Sequence, residues 1–202
     1  MPDQALTTEP SDPSTSNGGG SLAPYEAKVA ATEALLDVDG VGIRAPSLGE
    51  GALMWELARD AGGLDLNSPY AYMVAGRHFQ STCAIAEVYG KPAGFVMAHR
   101  IPSRPDVLFI WQVAVLPDFR GLGIAKRMFD NLLAREENAG VRTMEATVTS
   151  SNKASAALFA AFAKSRNAEL DVRTGFTAAD FPDGHGHEAE ELYVIAPISD
   201  IT

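Results

Sequence analysis

The stretch VLFIWQVAVLPDFRGLGIAKRMFDNLLAREE, residues 107–137, joins an apolar run to a glycine-rich turn and then to an amphipathic segment. The run VLFIWQVAV is apolar on both faces except at Gln112, which predicts a strand in the middle of a sheet. The amphipathic segment predicts a helix, because its apolar residues form one stripe at helical spacing: Ile124, Ala125, Met128, Phe129, Leu132 and Leu133. We expect this helix to pack on the sheet beside the strand.

The turn between strand and helix, RGLGIA at residues 120–125, has the chemistry of an anion site. Gly121 and Gly123 leave room for a ligand to approach the backbone, and the free amides and dipole of a helix N-terminus favour negative charge. The sequence has no Gly-Lys-Ser/Thr and no G-x-G-x-x-G, which argues against a nucleoside-triphosphate P-loop and a dinucleotide fingerprint. The turn indicates a pyrophosphate site, and a glycine turn with a purely structural role is the alternative.

The segments on either side of this unit predict further strands and helices. Before it, the sequence predicts a strand in VGIRA, a helix in SLGEGALMWELARDA capped by Ser47, and a helix in YAYMVAGRHF capped by Asn67, Ser68 and Pro69. A hairpin follows in TCAIAEVYGKPAGFVMAHR, around the turn YGKP. After the unit come a strand in RTMEATVTS, a helix in KASAALFAAFAKSR and a strand in ELYVIAPI. This order predicts an α/β fold with a mixed sheet covered by helices.

Length and composition limit the domain organisation and the class of partner. The chain has 202 residues, 46% of them hydrophobic, which is enough for one domain with a substantial core. Residues 1–40 are rich in Pro, Ser, Thr and Gly and predict a disordered tail, so the domain is expected at residues 41–202. The net charge of −10 argues against nucleic acid and anionic membranes as partners. The lone Cys83, expected as a small buried hydrophobe, and the lack of a membrane-spanning or signal pattern predict a cytoplasmic protein.

Two parts of the chain resemble the GNAT acetyltransferases. The strand ending in VAV, the R-x-x-G-x-A turn and the helix after it resemble the acetyl-CoA-binding motif of that family, and the strand RTMEATVT before Asn152 resembles its second cofactor-contacting region. The resemblance implies the GNAT fold, a central, mostly antiparallel twisted sheet flanked by helices with splayed strands at the acetyl-CoA site. It also implies acetyl-CoA as cosubstrate, no metal, and the following cofactor contacts: Val113, Ala114, Val115, Arg120, Gly121, Leu122, Gly123, Ile124, Ala125, Asn152, Ser155 and Phe159.

Four segments further resemble the diaminobutyrate acetyltransferases within that family: DLNSPYAY (65–72), PDVLFIWQVAV (105–115), TVTSSNKAS (147–155) and HEAEELY (187–193). This resemblance implies transfer of an acetyl group from acetyl-CoA to the γ-amine of L-2,4-diaminobutyrate, a step of ectoine biosynthesis in the response to osmotic stress. It implies a homodimer. It places six residues around the small diamino acid: Asp65, Asn67, Tyr70, Trp111, His187 and Glu190.

The implied reaction needs a neutral amine, because an alkyl ammonium with a pKa near ~10 must lose a proton before it attacks. Glu190, His187 and Glu145 are the candidate acceptors of that proton. Carboxylates also suit a dicationic substrate, and the face of Trp111 suits a cation–π contact. Tyr70 is a candidate proton donor to the departing thiolate, since Phe159 stands where many relatives in the GNAT family have a tyrosine.

Several of these assignments have alternatives that the residues leave open. Trp111, on an apolar strand, could be a core aromatic, and Asp65 and Asn67 could simply cap the next helix. The segment 183–191, DGHGHEAEE, could be a solvated acidic turn or, with its histidines and acids, part of a metal site. Another small amine as substrate, or a non-catalytic module that senses acyl-CoA, would fit the same cofactor motif.

Overall fold

The computed structural model describes residues 40–182 and 186–199, so the predicted tail lies outside the described residues except for its last one. Within these ranges seven strands form one sheet in the order β1-β2-β3-β4-β5-β7-β6. In chain order the strands are β1 Val41–Arg44, β2 Ala84–Val88, β3 Lys91–Ile101, β4 Arg104–Val115, β5 Thr143–Thr149, β6 Glu169–Phe176 and β7 Glu190–Ala196. The α-helices are α1 Gly51–Ala61, α2 Pro69–His78, α3 Ile124–Ala134 and α4 Lys153–Ser165.

The predicted mixed, mostly antiparallel sheet is confirmed, because β4 and β5 are parallel and the other neighbouring strands are antiparallel. The hairpin of β2 and β3 turns through Tyr89 and Gly90, whose φ angles of 48° and 74° match the two-residue turns that fit the twist of a hairpin. Strand β6 was not predicted. It lies at the edge of the sheet and is largely exposed. Its apolar residues Leu170, Val172 and Phe176 do alternate with polar ones, so the sequence carried a short strand signal that the prediction missed.

Helices cover both faces of the sheet and bury two apolar clusters. Helices α3 and α4 pack on one face, and α1 and α2 pack on the other. The predicted stripe of α3 is confirmed, since Ile124, Met128, Phe129 and Leu132 are at most 2% exposed. Burial of each such large apolar side chain contributes about 1.5–3 kcal/mol, so this stripe is a major reason why α3 lies against the sheet.

The starts of α1 and α2 correct the predicted caps. Helix α1 begins at Gly51 with Glu50 at the N-cap, so Ser47 does not cap it; the Ser47 amide instead donates to the Glu50 carboxylate at 2.6 Å. A Cβ at Gly51 would lie 2.6 Å from the carbonyl oxygen of Tyr72, which shows how closely α1 approaches α2. Helix α2 begins at Pro69 as predicted, but the Ser68 side chain at its N-cap makes no capping bond.

Cys83 is fully buried, and this burial raises the pKa of its thiol to about 11. A thiol with so high a pKa is protonated at neutral pH and unreactive, so the prediction of a small buried hydrophobe is confirmed. In the described part of the chain, no helix combines the length and the apolar content that crossing a bilayer requires.

Strands β4 and β5 pair over only part of their length. Val107–Ile110 of β4 pair with Thr143–Ala146 of β5, and the pairing stops there. Beyond Ile110, β4 keeps its pairing with β3 but has none with β5. The two strands therefore separate toward their C-terminal ends, which confirms the predicted splay.

A bulge in β4 at Trp111 exchanges the two faces of the strand. Strand β3 pairs Met97 with Gln112 and the next residue with Ile110, so Trp111 is an extra residue in β4. Ile110 lies in the apolar cluster under α3 and α4, whereas Ala114 lies in the cluster under α1 and α2. In a regular strand Ile110 and Ala114 would lie on the same face, because they are an even number of residues apart. The bulge at Trp111 places them on opposite faces.

Candidate active site

A cavity of about 1120 Å³ opens where β4 and β5 separate. The loop after α1, the bulged part of β4, the junction of β5 with α4, and the segment that leads into β7 form its walls. Five of the six predicted substrate residues line it together: Asp65, Asn67, Trp111, His187 and Glu190. Asn152, from the predicted cofactor set, lines it as well. The fold thus gathers residues from four separate parts of the chain around one opening.

Trp111 faces this cavity and is not a core aromatic. Its side chain is 46% exposed, and Phe109 beside it also lines the cavity. His99 supports both rings from β3, with its ring centroid 5.5 Å from that of Phe109 and 6.4 Å from that of Trp111. The core interpretation is wrong because the bulge turns Trp111 and Gln112, adjacent in sequence, toward the same opening.

His187 lies between two carboxylates of the cavity. Its Nε2 atom is 3.2 Å from Oδ2 of Asp65 and 3.9 Å from Oε1 of Glu190. The Asp65 side chain is 88% exposed and that of Glu190 is 19% exposed, so the first carboxylate stands at the mouth and the second lies deeper. The ring of Phe181 stacks on the imidazole at a centroid distance of 4.0 Å. The two carboxylates suit a ligand with two ammonium groups, because each can neutralise one positive charge.

The tautomer and the pKa of His187 follow from its surroundings. Its Nδ1 atom lies 2.8 Å from the carbonyl oxygen of Glu188. A carbonyl oxygen only accepts, so Nδ1 carries hydrogen and Nε2 is the atom that gains or loses a proton. The bond to this carbonyl, followed by the carboxylates of Asp65 and Glu190, raises the pKa of His187 above its ordinary value. The imidazole therefore stays protonated to a higher pH than an isolated histidine does.

The free edge of β4 offers backbone groups to a pantetheine arm. The Leu116 amide donates to Ala93 of β3, so the backbone groups of Leu116 point toward β3. Backbone groups of successive strand residues point alternately to the two sides, so those of Val113 and Val115 point to the side that β5 leaves open. This unpaired edge fits the predicted cofactor role of Val113 and Val115, whereas the backbone groups of Ala114 point toward β3 and correct its predicted cofactor contact.

The glycine turn after β4 leaves amides at the start of α3. Gly121 and Gly123 have φ angles of 80° and 71°, a region that side chains disfavour, and Gly123 is the N-cap. The first bond within the helix runs from the Arg127 amide to the Gly123 carbonyl, so the amides before it have no acceptor in the helix. The Arg120 side chain donates to the carbonyls of Val115 at 3.1 Å and Ala61 at 2.6 Å. The turn is thereby fixed to β4 and α1, and its amides suit a pyrophosphate.

Asn152 joins β5 to α4 at the edge of the cavity. Its side-chain oxygen accepts a hydrogen bond from the Ser155 amide at 3.0 Å, so it caps α4. Ser155 lies in the first turn of that helix. Asp65 and Asn67 do not cap α2, because Ser68 holds its N-cap position, and this alternative is wrong.

Apart from the end of β4, the glycine turn and Ser155, three further predicted residues lie away from the cavity. Tyr70 is 76% exposed and lines a separate hollow of about 190 Å³ with residues of α2 such as Arg77. Phe159 is 3% exposed and stacks on Phe129 in the core, at a ring-centroid distance of 5.7 Å, so the predicted cofactor contact is corrected. Glu145 is buried and paired with the guanidinium of Arg104 at 2.7 and 2.9 Å, which occupies the carboxylate that was considered as a proton acceptor.

The cavity also contains side chains that the sequence did not single out. Phe181 comes from a segment without a periodic pattern, and Phe176 comes from β6, which was not predicted. Glu188 was considered only for the metal alternative, and Ser151 only as part of a resembling segment. Gln112 did carry a signal, because it is the one polar residue in an apolar strand. The described residues contain no group of three His, Cys, Asp or Glu side chains that could hold a metal ion, and Asp183 and His185 of the metal alternative lie outside them.

A divergent pair of strands next to a helix N-terminus with free amides is the geometry of an enzyme that uses acetyl-CoA. Residues 52–163 match the model of the Acetyltransferase (GNAT) family. The chain is 45% identical to the L-2,4-diaminobutyric acid acetyltransferase of Nocardia farcinica over 157 residues, which are 78% of this chain and 80% of that protein. It is 41% identical to the protein of the same name from Streptomyces avermitilis over 163 residues, 80% of this chain and 90% of the relative.

Solved structures agree with this relationship. The diaminobutyrate acetyltransferase from Paenibacillus lautus, solved with its substrate L-2,4-diaminobutyric acid and coenzyme A, is 46% identical with a TM-score of 0.75. The match covers 80% of this chain and 98% of that one. The chain belongs to the GNAT acetyltransferases and, within them, to the family of the L-2,4-diaminobutyric acid acetyltransferases. The predicted fold and family are confirmed.

Proposed function

We propose that this enzyme transfers the acetyl group of acetyl-CoA to the γ-amine of L-2,4-diaminobutyrate and so forms N4-acetyl-L-2,4-diaminobutyrate. The observation that carries the proposal is the placement of Asp65, His187 and Glu190 around one cavity beside the exposed face of Trp111. Two carboxylates neutralise two ammonium groups, and the indole face attracts a cation. The names of the relatives support the same substrate.

The cofactor end of the site is formed by β4 and α3. The backbone of Val113 and the amide of Val115 would pair with the pantetheine. The amides from Gly121 to Ala125 would hold the pyrophosphate at the start of α3, and the Arg120 amide is left out of this set because it donates to the Pro117 carbonyl. Acetyl-CoA, when bound, supplies an acetyl thioester that a neutral amine can attack. A free amide on the edge of β4 is suited to stabilise negative charge on the thioester carbonyl oxygen.

The amine end of the site must remove a proton. Glu190 lies deeper than Asp65 and shares His187 with it, so we assign Glu190 and His187 as the pair that accepts the proton of the γ-ammonium. Asp65 and Asn67 then bind the α-ammonium end at the mouth of the cavity. Tyr70 lies in another hollow, so the departing thiolate takes its proton from solvent in this proposal.

We further propose that the enzyme is a cytoplasmic homodimer and that its product serves ectoine biosynthesis under osmotic stress. These points rest on the family and on the lone buried Cys83, which suits a reducing compartment. Sedimentation equilibrium should give twice the chain mass of 21.4 kDa. A single-chain mass at micromolar concentration would contradict the dimer and leave the proposed reaction standing.

The test of function is a panel of amines with acetyl-CoA. Thiol release is measured with L-2,4-diaminobutyrate, ornithine, lysine and spermidine, and NMR locates the acetylated nitrogen. We expect selective acetylation of diaminobutyrate at its γ-nitrogen. Faster turnover of another amine would overturn the substrate, and acetyl-CoA binding without any turnover would indicate a sensing module.

A further inference from the structure

Gln112 is a buried polar side chain whose amide has two partners. It is 8% exposed and lines the cavity next to Trp111. Its Nε2 donates to the carbonyl oxygen of Asp65 at 2.8 Å, and its Oε1 accepts from the hydroxyl of Tyr72 at 2.8 Å. The orientation of the amide is fixed, because the Asp65 carbonyl can only accept and therefore requires the NH₂ group.

The two partners of Gln112 belong to very different surroundings. Tyr72 is fully buried in the cluster under α1 and α2, and its ring packs edge to face on Phe95 at a centroid distance of 6.1 Å. Asp65 belongs to the loop between α1 and α2, and its carboxylate is 88% exposed. Gln112 therefore connects the rigid core to the loop that carries the carboxylate at the mouth of the cavity.

This connection determines where the Asp65 carboxylate stands. Among the described residues, no other side chain of the sheet hydrogen-bonds the backbone of residues 62–67. The carboxylate of Asp65 lies 3.2 Å from Nε2 of His187, which lies 3.9 Å from the carboxylate of Glu190. Glu190 is held by the pairing of β7, so a movement of the loop that Gln112 holds would change the separation of the two carboxylates.

We infer that Gln112 is a positioning residue that matches the separation of Asp65 and Glu190 to the length of a short diamine. The inference rests on the proposed function and extends it to substrate selection. Ornithine has one methylene more between its amines than diaminobutyrate, so it needs a wider separation of the carboxylates. A loop released from Gln112 can move outward, which weakens binding of the short diamine and reduces discrimination against the longer one.

Three variants test this role. Gln112→Met keeps the size of the side chain but removes both hydrogen bonds. Gln112→Glu keeps an acceptor for the Tyr72 hydroxyl but places a carboxylate oxygen against the Asp65 carbonyl. Tyr72→Phe removes only the hydroxyl that donates to Gln112. We expect Gln112→Met and Gln112→Glu to raise KM for diaminobutyrate about tenfold and to lower its kcat/KM advantage over ornithine about tenfold. KM for acetyl-CoA should stay within about twofold, and Tyr72→Phe should give a smaller change in the same direction.

A rise in KM for diaminobutyrate without a rise in KM for acetyl-CoA distinguishes a positioning role of Gln112 from a general role in stabilising the fold. An unchanged KM and an unchanged preference in a folded Gln112→Met protein would overturn the inference. Equal increases in KM for diaminobutyrate and for acetyl-CoA, together with a lowered Tm, would also overturn the inference, because they indicate a structural role. If Gln112→Met does not fold, Gln112→Glu and Tyr72→Phe decide. If the unmodified enzyme prefers another amine, the proposed function fails, and the KM for that amine then decides the role of Gln112.

Discussion

At the scale of single residues, the cavity contains one imidazole that bridges two carboxylates. His187 donates through Nδ1 to the Glu188 carbonyl and stacks on Phe181, so its ring plane and its tautomer are both fixed. Its Nε2 then faces Asp65 and Glu190. A diamine that enters the cavity brings positive charge to the same carboxylates, so a protonated His187 competes with the substrate for them.

Replacement of Glu190 tests the proposed proton acceptor. Glu190→Gln keeps the size and removes the charge, so we expect kcat/KM for diaminobutyrate to fall by about 100-fold or more. KM for acetyl-CoA should hardly change, since Glu190 lies at the amine end of the cavity. Steady-state kinetics with each substrate varied in turn measure both values. Near-normal catalytic efficiency would show that the amine site is misplaced.

The raised pKa of His187 predicts the pH dependence of amine turnover. Below this pKa the imidazole is protonated and pairs with Asp65 and Glu190; above it the ring is neutral and can accept a proton. The activity that depends on His187 should therefore rise with pH, with a midpoint above the ordinary value of about 6.5. The measurement is kcat/KM for diaminobutyrate as a function of pH, for the unmodified enzyme and for His187→Gln. The ratio of the two profiles isolates the pH dependence that comes from His187. A ratio that stays flat from about pH 5.5 to about pH 8.5, where histidines titrate, contradicts the assignment.

At the scale of secondary-structure elements, β4 combines a bulge with an unpaired edge. The bulge turns Trp111 and Gln112 into the cavity, and the lost pairing with β5 leaves the backbone of Val113 and the amide of Val115 available. In the proposed function, β4 therefore serves both substrates, the amine through side chains and the cofactor through backbone groups. The glycine turn and α3 extend this surface to the proposed anion site.

Gly123→Glu tests the anion site at the start of α3. A side chain at φ 71° is strained, so Gly123→Gln, with the same strain and no charge, is the matched control. We expect Gly123→Glu to raise KM for acetyl-CoA about tenfold more than Gly123→Gln does, because it places a negative charge near the pyrophosphate. The difference should shrink as salt is added. Equal effects of the two variants at low salt would argue against a phosphate at this turn.

At the scale of the whole molecule, the cavity lies away from the beginning of the described chain. Strand β1 starts at Val41 on one edge of the sheet, and β2 and β3 separate it from β4. The cavity is formed by β4, β5, β7 and the loops at their ends. Residues 1–39 lie outside the described residues, and the described lining of the cavity begins at Gly63.

This arrangement predicts that the N-terminal segment is dispensable for chemistry. A chain of residues 40–202 should keep kcat/KM for diaminobutyrate and for acetyl-CoA within about twofold of the full chain. Kinetics with both substrates, with circular dichroism to verify folding, measure this. Loss of activity in a folded truncated chain would show that the segment contributes to the site.

Much of the fold could be predicted because its signals are local. The stripe of α3, the Tyr89-Gly90 hairpin turn and the start of α2 at Pro69 depend on helical period or on backbone preference at one or two positions. Strand β6 was missed although Leu170, Val172 and Phe176 alternate with polar residues, because an exposed edge strand carries few apolar residues among charged neighbours. The substrate residues that line the cavity were predicted from the resemblance to the diaminobutyrate acetyltransferases, since no local pattern indicated that they would meet.

Only the tertiary structure decided which distant side chains meet. Arg104 pairs with Glu145 across 41 residues, and Gln112 bonds to Asp65 across 47. Such contacts depend on strand register, and the extra residue at Trp111 shifts the register and exchanges the faces of β4. The sequence by itself determined most helices and turns and predicted the anion site, because these features arise from neighbouring residues. The shape of the amine site arises from long-range pairing, and a local pattern carries no information about it.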